Sequence, residues 1–326
     1  MNSAEHGHEP VLLGPVLEYL NPQPGEVFVD CTVGRGGHSL ALAQRLSSSG
    51  TLVALDVDPD NLAYARQRLA TLTNPPICRW FHANFAEVDD VLAEAGITHI
   101  DGLLADLGVS TNQLVAAQHG LSFAAEAALD MRLDPRLRQT AADLLANLAE
   151  REIADLLFHN AQERLSFRIA RKIVQTRSTE PIRTTGQLAR LVRSVVPGRP
   201  GQIDPATRTF QALRMAVNQE TQSLEALLDL IPELMGVASA EGNRETPGKG
   251  SGGRVAIISF HSGEDRLVKL ATRRWAQEGY GAILTKKPRE PDDAEVYRNP
   301  RSRSAKLRAV RFGECNADGG SASLSE

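Results

Sequence analysis

The chain predicts an α/β fold, a mainly parallel sheet flanked by helices, with an α-helical domain inserted into it. Three observations carry this. Short apolar runs at 27–31, 51–56, 77–82 and 100–107 alternate with helical patterns, as crossover connections between parallel strands require. A fifth such run, 254–260, returns only after more than a hundred residues of helical pattern. Three of the runs carry an acid at or near the end, Asp30, Asp56 and Asp106, and the first is followed by Gly34, Gly36 and Gly37.

Taken in order, a short helical pattern runs to Leu20 and is closed by Pro22, Pro24 and Gly25. The first strand, glycine turn and an Ala/Leu-rich helix to about Leu46 follow. The second strand, 51–56, precedes a helix over 59–69 opened by Pro59, and the third and fourth strands come at 77–82 and 100–107. Helical periodicity then covers 141–148, 150–158, 167–175 and 185–195, with breakers at Pro135, Pro181, Pro197-Gly198 and Pro200-Gly201. One further helix is expected over about 210–230. Residues 238–253, rich in Gly, Ser, Glu and Asn, have the composition of a flexible surface loop. After the fifth strand come a helix over 267–278 and two closing antiparallel segments, 281–287 and 306–312. The expected division is therefore a first part of the main domain at 1–112, the helical insert at 113–213, a second part at 214–312 and a polar tail at 313–326.

At 326 residues and 42% hydrophobic composition, the chain can bury a large core and support a second, smaller domain. It contains no apolar run near the ~20 residues that span a bilayer, and residues 1–10 do not have a signal-peptide pattern, so a soluble, cytoplasmic protein without membrane partners is expected. Cys31, Cys78 and Cys315 are odd in number and lack paired metal-ligand spacing, which implies reduced thiols and no metal. The net charge of −4 argues against a generically basic coat. Its distribution is uneven: 164–193 holds eight Lys/Arg against Glu180 alone, and 286–311 holds nine against four acids. A charge run is commonly only a solvated face. Two of them beside a nucleotide-type loop point to a polyanionic partner.

Ligands of open α/β sheets bind beyond the carboxyl ends of the strands, where this chain places the glycine turn, Asp56 and Asp106. Asp56 lies 19 residues past Gly37, the interval at which a second-strand acid meets ribose hydroxyls. Asp101 and Asp106 can equally be ordinary strand-end acids, and Phe85 either lies against an adenine ring or belongs to the core. A dinucleotide fingerprint places its third glycine three positions after the second; here Gly36 and Gly37 are adjacent and His38 follows. That disfavours NAD and favours S-adenosyl-L-methionine, which has no pyrophosphate to cradle and whose positive centre tolerates nearby acids.

Seven segments in register then resemble the bacterial ribosomal RNA small subunit methyltransferase H family: His8-Glu9-Pro10-Val11-Leu12, Gly34-Arg35-Gly36-Gly37-His38-Ser39, Asp106-Leu107-Gly108-Val109-Ser110, Leu129-Asp130-Met131-Arg132, Arg208-Thr209-Phe210-Gln211-Ala212-Leu213-Arg214, Ile258-Ser259-Phe260-His261-Ser262 and the stretch from Asn299-Pro300-Arg301 to Arg308. The resemblance implies a class I S-adenosylmethionine-dependent methyltransferase, Rossmann-like, that methylates N4 of a cytidine in the decoding centre of 16S ribosomal RNA, free or in the small subunit. It implies cofactor contacts at Gly36, Gly37, His38, Asp56, Phe85, Asp106 and Gln113. This chain departs from the family at 161–165, which lacks an expected glycine and phenylalanine, at Gly263 in place of a leucine, and in the length of 238–253.

An exocyclic cytosine amine is a poor nucleophile, so its site must accept hydrogen bonds from it; Asp106 is the first candidate acceptor, with the carbonyls of 107–110 next. His261 and Ser262 can bind the cytosine edge or a phosphate, or His261 can be structural. Asp130 and Arg132 can form a structural ion pair or face RNA, and the resemblance favours RNA. Arg208, Arg214 and the arginines from Arg298 to Arg308, Arg301 and Arg303 among them, are expected at phosphates. The alternative function is a non-catalytic, nucleotide-responsive RNA-binding or ribosome-assembly protein on the same fold. A small-molecule methyltransferase would have no use for two basic segments.

Overall fold

The computed structural model describes residues 10–116, 119–198, 201, 204–237 and 252–313. The chain divides into two compact units, one formed by Met1–Gly108 and Leu224–Glu326, the other by Val109–Ser223.

The first unit is the α/β one. Its first half runs α1 (Leu13–Leu20), β1 (Val27–Asp30), α2 (Gly37–Leu46), β2 (Thr51–Asp56), α3 (Pro59–Leu69), β3 (Ile77–His82), α4 (Val88–Ala95) and β4 (Gly102–Asp106). The second unit contains α5 (Thr111–Val115), α6 (Ala141–Asn147), α7 (Glu150–Ala161), α8 (Ser166–Arg177), α9 (Thr185–Val195) and α10 (Ala206–Val217), and α11 (Glu220–Leu234) leads back into the first. There β5 (Arg254–Ser259), α12 (Ser262–Gln277), β6 (Gly281–Ile283), α13 (Asp293–Arg298) and β7 (Lys306–Phe312) complete it.

The seven strands form one sheet in the order β3-β2-β1-β4-β5-β7-β6. The first five are parallel, and β7 runs antiparallel to both β5 and β6. Because strand side chains alternate, Val29, Val53, Leu103, Val255 and Ile257 face a core closed by α4, the Leu224–Met235 stretch and α12. Phe28, Leu52, Leu104, Ala256 and Ile258 face the other core, closed by α1 and α2. All ten are essentially inaccessible, which is why these strands read as unbroken apolar runs. Asp58 caps α3 by accepting from the Asp60 and Asn61 N–H groups ahead of Pro59 at N1.

The amino ends of the strands are tied off by charge. Asp101 accepts from the Val27 N–H at 2.9 Å, and Arg254 pairs with Glu26 at 2.5 Å across β5 and the start of β1. Asp101 is thus a strand-end acid with a structural job at the opposite end of the sheet from Asp106.

In the second unit α7 packs on α8 and α10, and α9 on both α8 and α10, around Ile153, Leu157, Ile169, Ile173, Leu188, Val192 and Leu213. The single helix expected over 210–230 is two. Gln219 takes φ +52° directly after α10, so the chain turns there without a Gly or Pro to signal it. As α10 packs wholly within the helical unit, that unit extends to Ser223. The segment 238–251 and the tail from 314, including Cys315, lie outside the described residues.

Candidate active site

Four loops meet at the carboxyl ends of β1 to β4, each held by its own short-range chemistry. Asp30, at the end of β1, is fully buried; it accepts from Ser39 Oγ at 2.5 Å and from the Thr32 N–H at 3.1 Å, binding the start of α2 to the strand. Burial pushes its carboxyl up, against the Ser39 hydrogen bond. Burial, with Asp30 adjacent, also pushes the Cys31 thiol well up, which leaves it a neutral side chain rather than a nucleophile.

The glycine turn is shaped by packing. Gly36 has φ +72°, and a Cβ there would stand 3.0 Å from Ala65 Cβ on α3; one on Gly37 would stand 3.1 Å from Pro10 Cβ. Both glycines let α2 approach its neighbours. A Cβ on Gly34, also at positive φ, would meet nothing nearer than Thr32 O at 4.0 Å, so the turn is open there. Arg35 is clamped from α3, its guanidinium 3.3 Å from the Tyr64 ring centroid and its carbonyl accepting from Arg68. Nothing in the sequence singled out Tyr64 or Arg68.

Asp56 closes β2. Its two oxygens accept from Gly34 N–H at 2.7 Å and Asp58 N–H at 2.9 Å, which joins the glycine turn to the second strand. Burial nonetheless raises its pKa to about 7, the backbone hydrogen bonds opposing the shift.

Asp106 closes β4, and its N–H donates to Thr32 Oγ1 at 2.6 Å, another link the sequence did not reveal. His38 Nε2 stands 3.4 Å from Asp106 Oδ2. His38 is only 6% exposed, and among the described residues neither of its ring nitrogens, nor Asp106 Oδ1, has a hydrogen-bond partner. Buried polar groups left unpaired are costly, so this cluster is built to meet a polar ligand. The Asp106 carboxylate with its unpaired Oδ1, His38 beside it and the buried Asp56 at the end of β2, one strand beyond β1, suit a cationic ligand with a ribose.

The remaining expected residues fall as follows. Phe85 opens a short 3₁₀ turn after β3 and is half-buried against the sheet core. Gln113, in the helical unit, accepts from the Ser110 N–H at 2.9 Å. Asp130 and Arg132 form the ion pair, bidentate at 2.7 and 2.8 Å. Burial works to raise the Asp130 carboxyl, but the Arg132 hydrogen bonds prevail and hold it below its ordinary value. Arg214 is engaged bidentately by Glu220. His261 caps α12, its Nδ1 accepting from the Glu264 N–H at 3.3 Å, with Ser262 exposed beside it. Arg208, Arg301 and Arg303 are exposed. Arg308 departs from expectation: it is buried and paired with Asp265 at 2.8 Å, fastening β7 to α12 rather than facing solvent.

A Rossmann-type strand order with an antiparallel strand inserted before the last, a glycine turn after β1 and acids ending β2 and β4 define a class I S-adenosylmethionine-dependent methyltransferase. The chain belongs to the MraW methylase family, whose model matches residues 5–313, and S-adenosylmethionine is its cofactor. It is 44% identical over 309 residues to the ribosomal RNA small subunit methyltransferase H of Acidobacterium capsulatum, covering 93% of this chain and 97% of that one. It is 43% identical over 305 residues to the protein of the same name from Solibacter usitatus, covering 94% and 99%.

Proposed function

We propose that this protein transfers a methyl group from S-adenosylmethionine to N4 of a cytidine in the decoding centre of 16S ribosomal RNA. The observation that carries the chemistry is the Asp106–His38 cluster, which offers a buried carboxylate oxygen without a partner at the mouth of β4. The substrate class rests on the relatives' names and on the two basic segments.

When bound, the cofactor supplies an electrophilic methyl group. Asp56 would accept from its ribose hydroxyls, with Gly36 and Gly37 setting the turn and His38 and Phe85 lining it; the family resemblance assigns a further contact to Gln113. Asp106 accepts a hydrogen bond from the target amine, returning electron density to a nitrogen whose lone pair is otherwise drawn into the ring. The exposed Arg208, Arg301 and Arg303 take phosphates. Asp130, Arg132, Arg214 and His261 already have protein partners, so any RNA contact they make exchanges one partner for another. Ser262, exposed beside His261, donates to a phosphate.

The test is transfer of labelled methyl to unmodified small subunits, with nuclease digestion and mass analysis of the nucleosides. N4-methylcytidine is expected, and label in any other nucleoside overturns the target. Asp106→Ala should abolish transfer in a folded protein; a variant as active as wild type would place the acceptor elsewhere.

A further inference from the structure

The helical unit carries a surface that the site above does not use. Among the described residues of that unit, two large hydrophobic side chains are exposed, Phe158 at 51% and Phe167 at 58%. Both are aromatic, and both lie within one turn of the tip where α7 passes into α8. We infer that this tip is a stacking platform for unpaired bases of the RNA substrate, an inference that rests on the rRNA reading given above.

The backbone of the tip is fixed by its own hydrogen bonds. Gln162 takes the left-handed conformation and its N–H donates to Phe158 O at 2.8 Å; Ser166 N–H donates to Glu163 O, and the buried Glu163 side chain accepts from Leu165 N–H. Phe158 is further braced edge-on by His159, with ring centroids 5.5 Å apart. A ring braced this way, as Phe158 is, loses less conformational freedom on binding.

Charge selects the partner. Arg164 and Arg168 are exposed on either side of Phe167, and the segment 164–193 that they open contains a single acid. Arg171, Arg190 and Arg193 farther along pair with Glu150, Glu126 and Asp204, whereas among the described residues no carboxylate pairs with Arg164 or Arg168, so the positive charge beside the two rings stays open to a polyanion. Aromatic faces set among arginines are the means by which single-stranded RNA is held irrespective of sequence, the bases stacking while the cations follow the backbone. Loss of one stacking ring should weaken binding by about tenfold.

The experiment measures binding of a 16S fragment containing the decoding-centre cytidine, over a range of salt, and methyl transfer to small subunits. Phe158→Leu and Phe167→Leu keep apolar bulk and remove the ring; each should weaken RNA binding about tenfold with an unchanged salt slope, raise KM for RNA and leave cofactor Kd unchanged. Phe167→Trp should retain affinity, and its added indole emission should be quenched by RNA. Arg168→Ala should lower the salt slope instead. Leucine variants that bind and turn over RNA as wild type does would overturn the platform and leave the rRNA reading intact. A wild-type dimer that the leucine variants break, with RNA affinity unaltered, would show an interface between copies and overturn it too. Wild-type protein that binds no RNA would overturn both.

Discussion

At the site, Asp56 departs far from its free form. With a folded pKa of about 7 against an ordinary 3.8, the native state holds a proton that the unfolded state has released between those values. Stability of the ligand-free protein should therefore fall as pH rises from about 4 to 7 and level off above, by roughly 4 kcal/mol if this group acted alone. Asp56→Asn should flatten that dependence in urea titrations across this range, and a stability curve of unchanged slope would mean that the group does not titrate as its burial dictates. Ribose hydroxyls donate best to the ionised form, so cofactor affinity of the unaltered protein should rise with pH through the same window, while the Asn variant should bind weakly at every pH. Calorimetric titration at pH 5.5 and 8 distinguishes the two. Asp56 and Asp106 were legible from their position at strand ends. Thr32, Tyr64 and Arg68 were not, because what they do depends on which loop lies across from them, and that is set by the sheet order rather than by local pattern.

At the scale of elements, β1 and β4 fit each other through one absent side chain. A Cβ on Gly102 would stand 2.2 Å from Phe28 Cε1, and Phe28 is fully buried beneath α1 and α2 with no space to swing into. Gly102→Ala should cost about 3 kcal/mol or more in denaturant unfolding, since overpacking there pushes apart two central strands. Phe28→Leu in the same chain should recover part of the loss by vacating the ring; no recovery would locate the strain elsewhere. The central strands β1, β2, β4 and β5 were legible to within two residues because burial on both faces leaves continuous apolar runs, whereas the expected segment 281–287 is a strand only over Gly281–Ile283. The helix Val88–Ala95 escaped notice since its polar first turn follows a capped 3₁₀ turn that hides the onset of the period. The break between α10 and α11 was illegible for a different reason: Gln219 is an ordinary helix former held at positive φ, and helical periodicity resumes immediately after it.

For the whole molecule, the sum of charges and their placement give opposite answers about RNA, and only placement is informative. Asp101 and the Arg254–Glu26 pair tie off the amino ends of β1, β4 and β5, and Asp30, Asp56 and Asp106 end β1, β2 and β4, so chain order alone located those acids, whereas the partners of the arginines depended on tertiary packing. Arg308 shows this within one motif, for it is buried on Asp265, while two residues of the preceding turn, Arg301 and Arg303, are exposed around Ser302, which is buried and donates to Asn299 O at 2.8 Å. The turn thus anchors through its serine and presents two cations that no ion pair consumes among the described residues. Each phosphate neutralised by a protein cation releases condensed counterions, and log K falls with log salt by about 0.7 per contact on single-stranded RNA. Arg301→Ala and Arg303→Ala should each weaken rRNA binding and reduce that slope by roughly one contact, and together by two, without altering cofactor Kd or unfolding midpoint. Arg308→Ala should behave oppositely, lowering the unfolding midpoint because the partly buried Asp265 loses its bidentate partner and keeps only Lys306, 4.0 Å away, with little change in salt slope. If all three variants shifted the slope alike, the burial of Arg308 would not be the property separating structural from RNA-facing arginines in this segment.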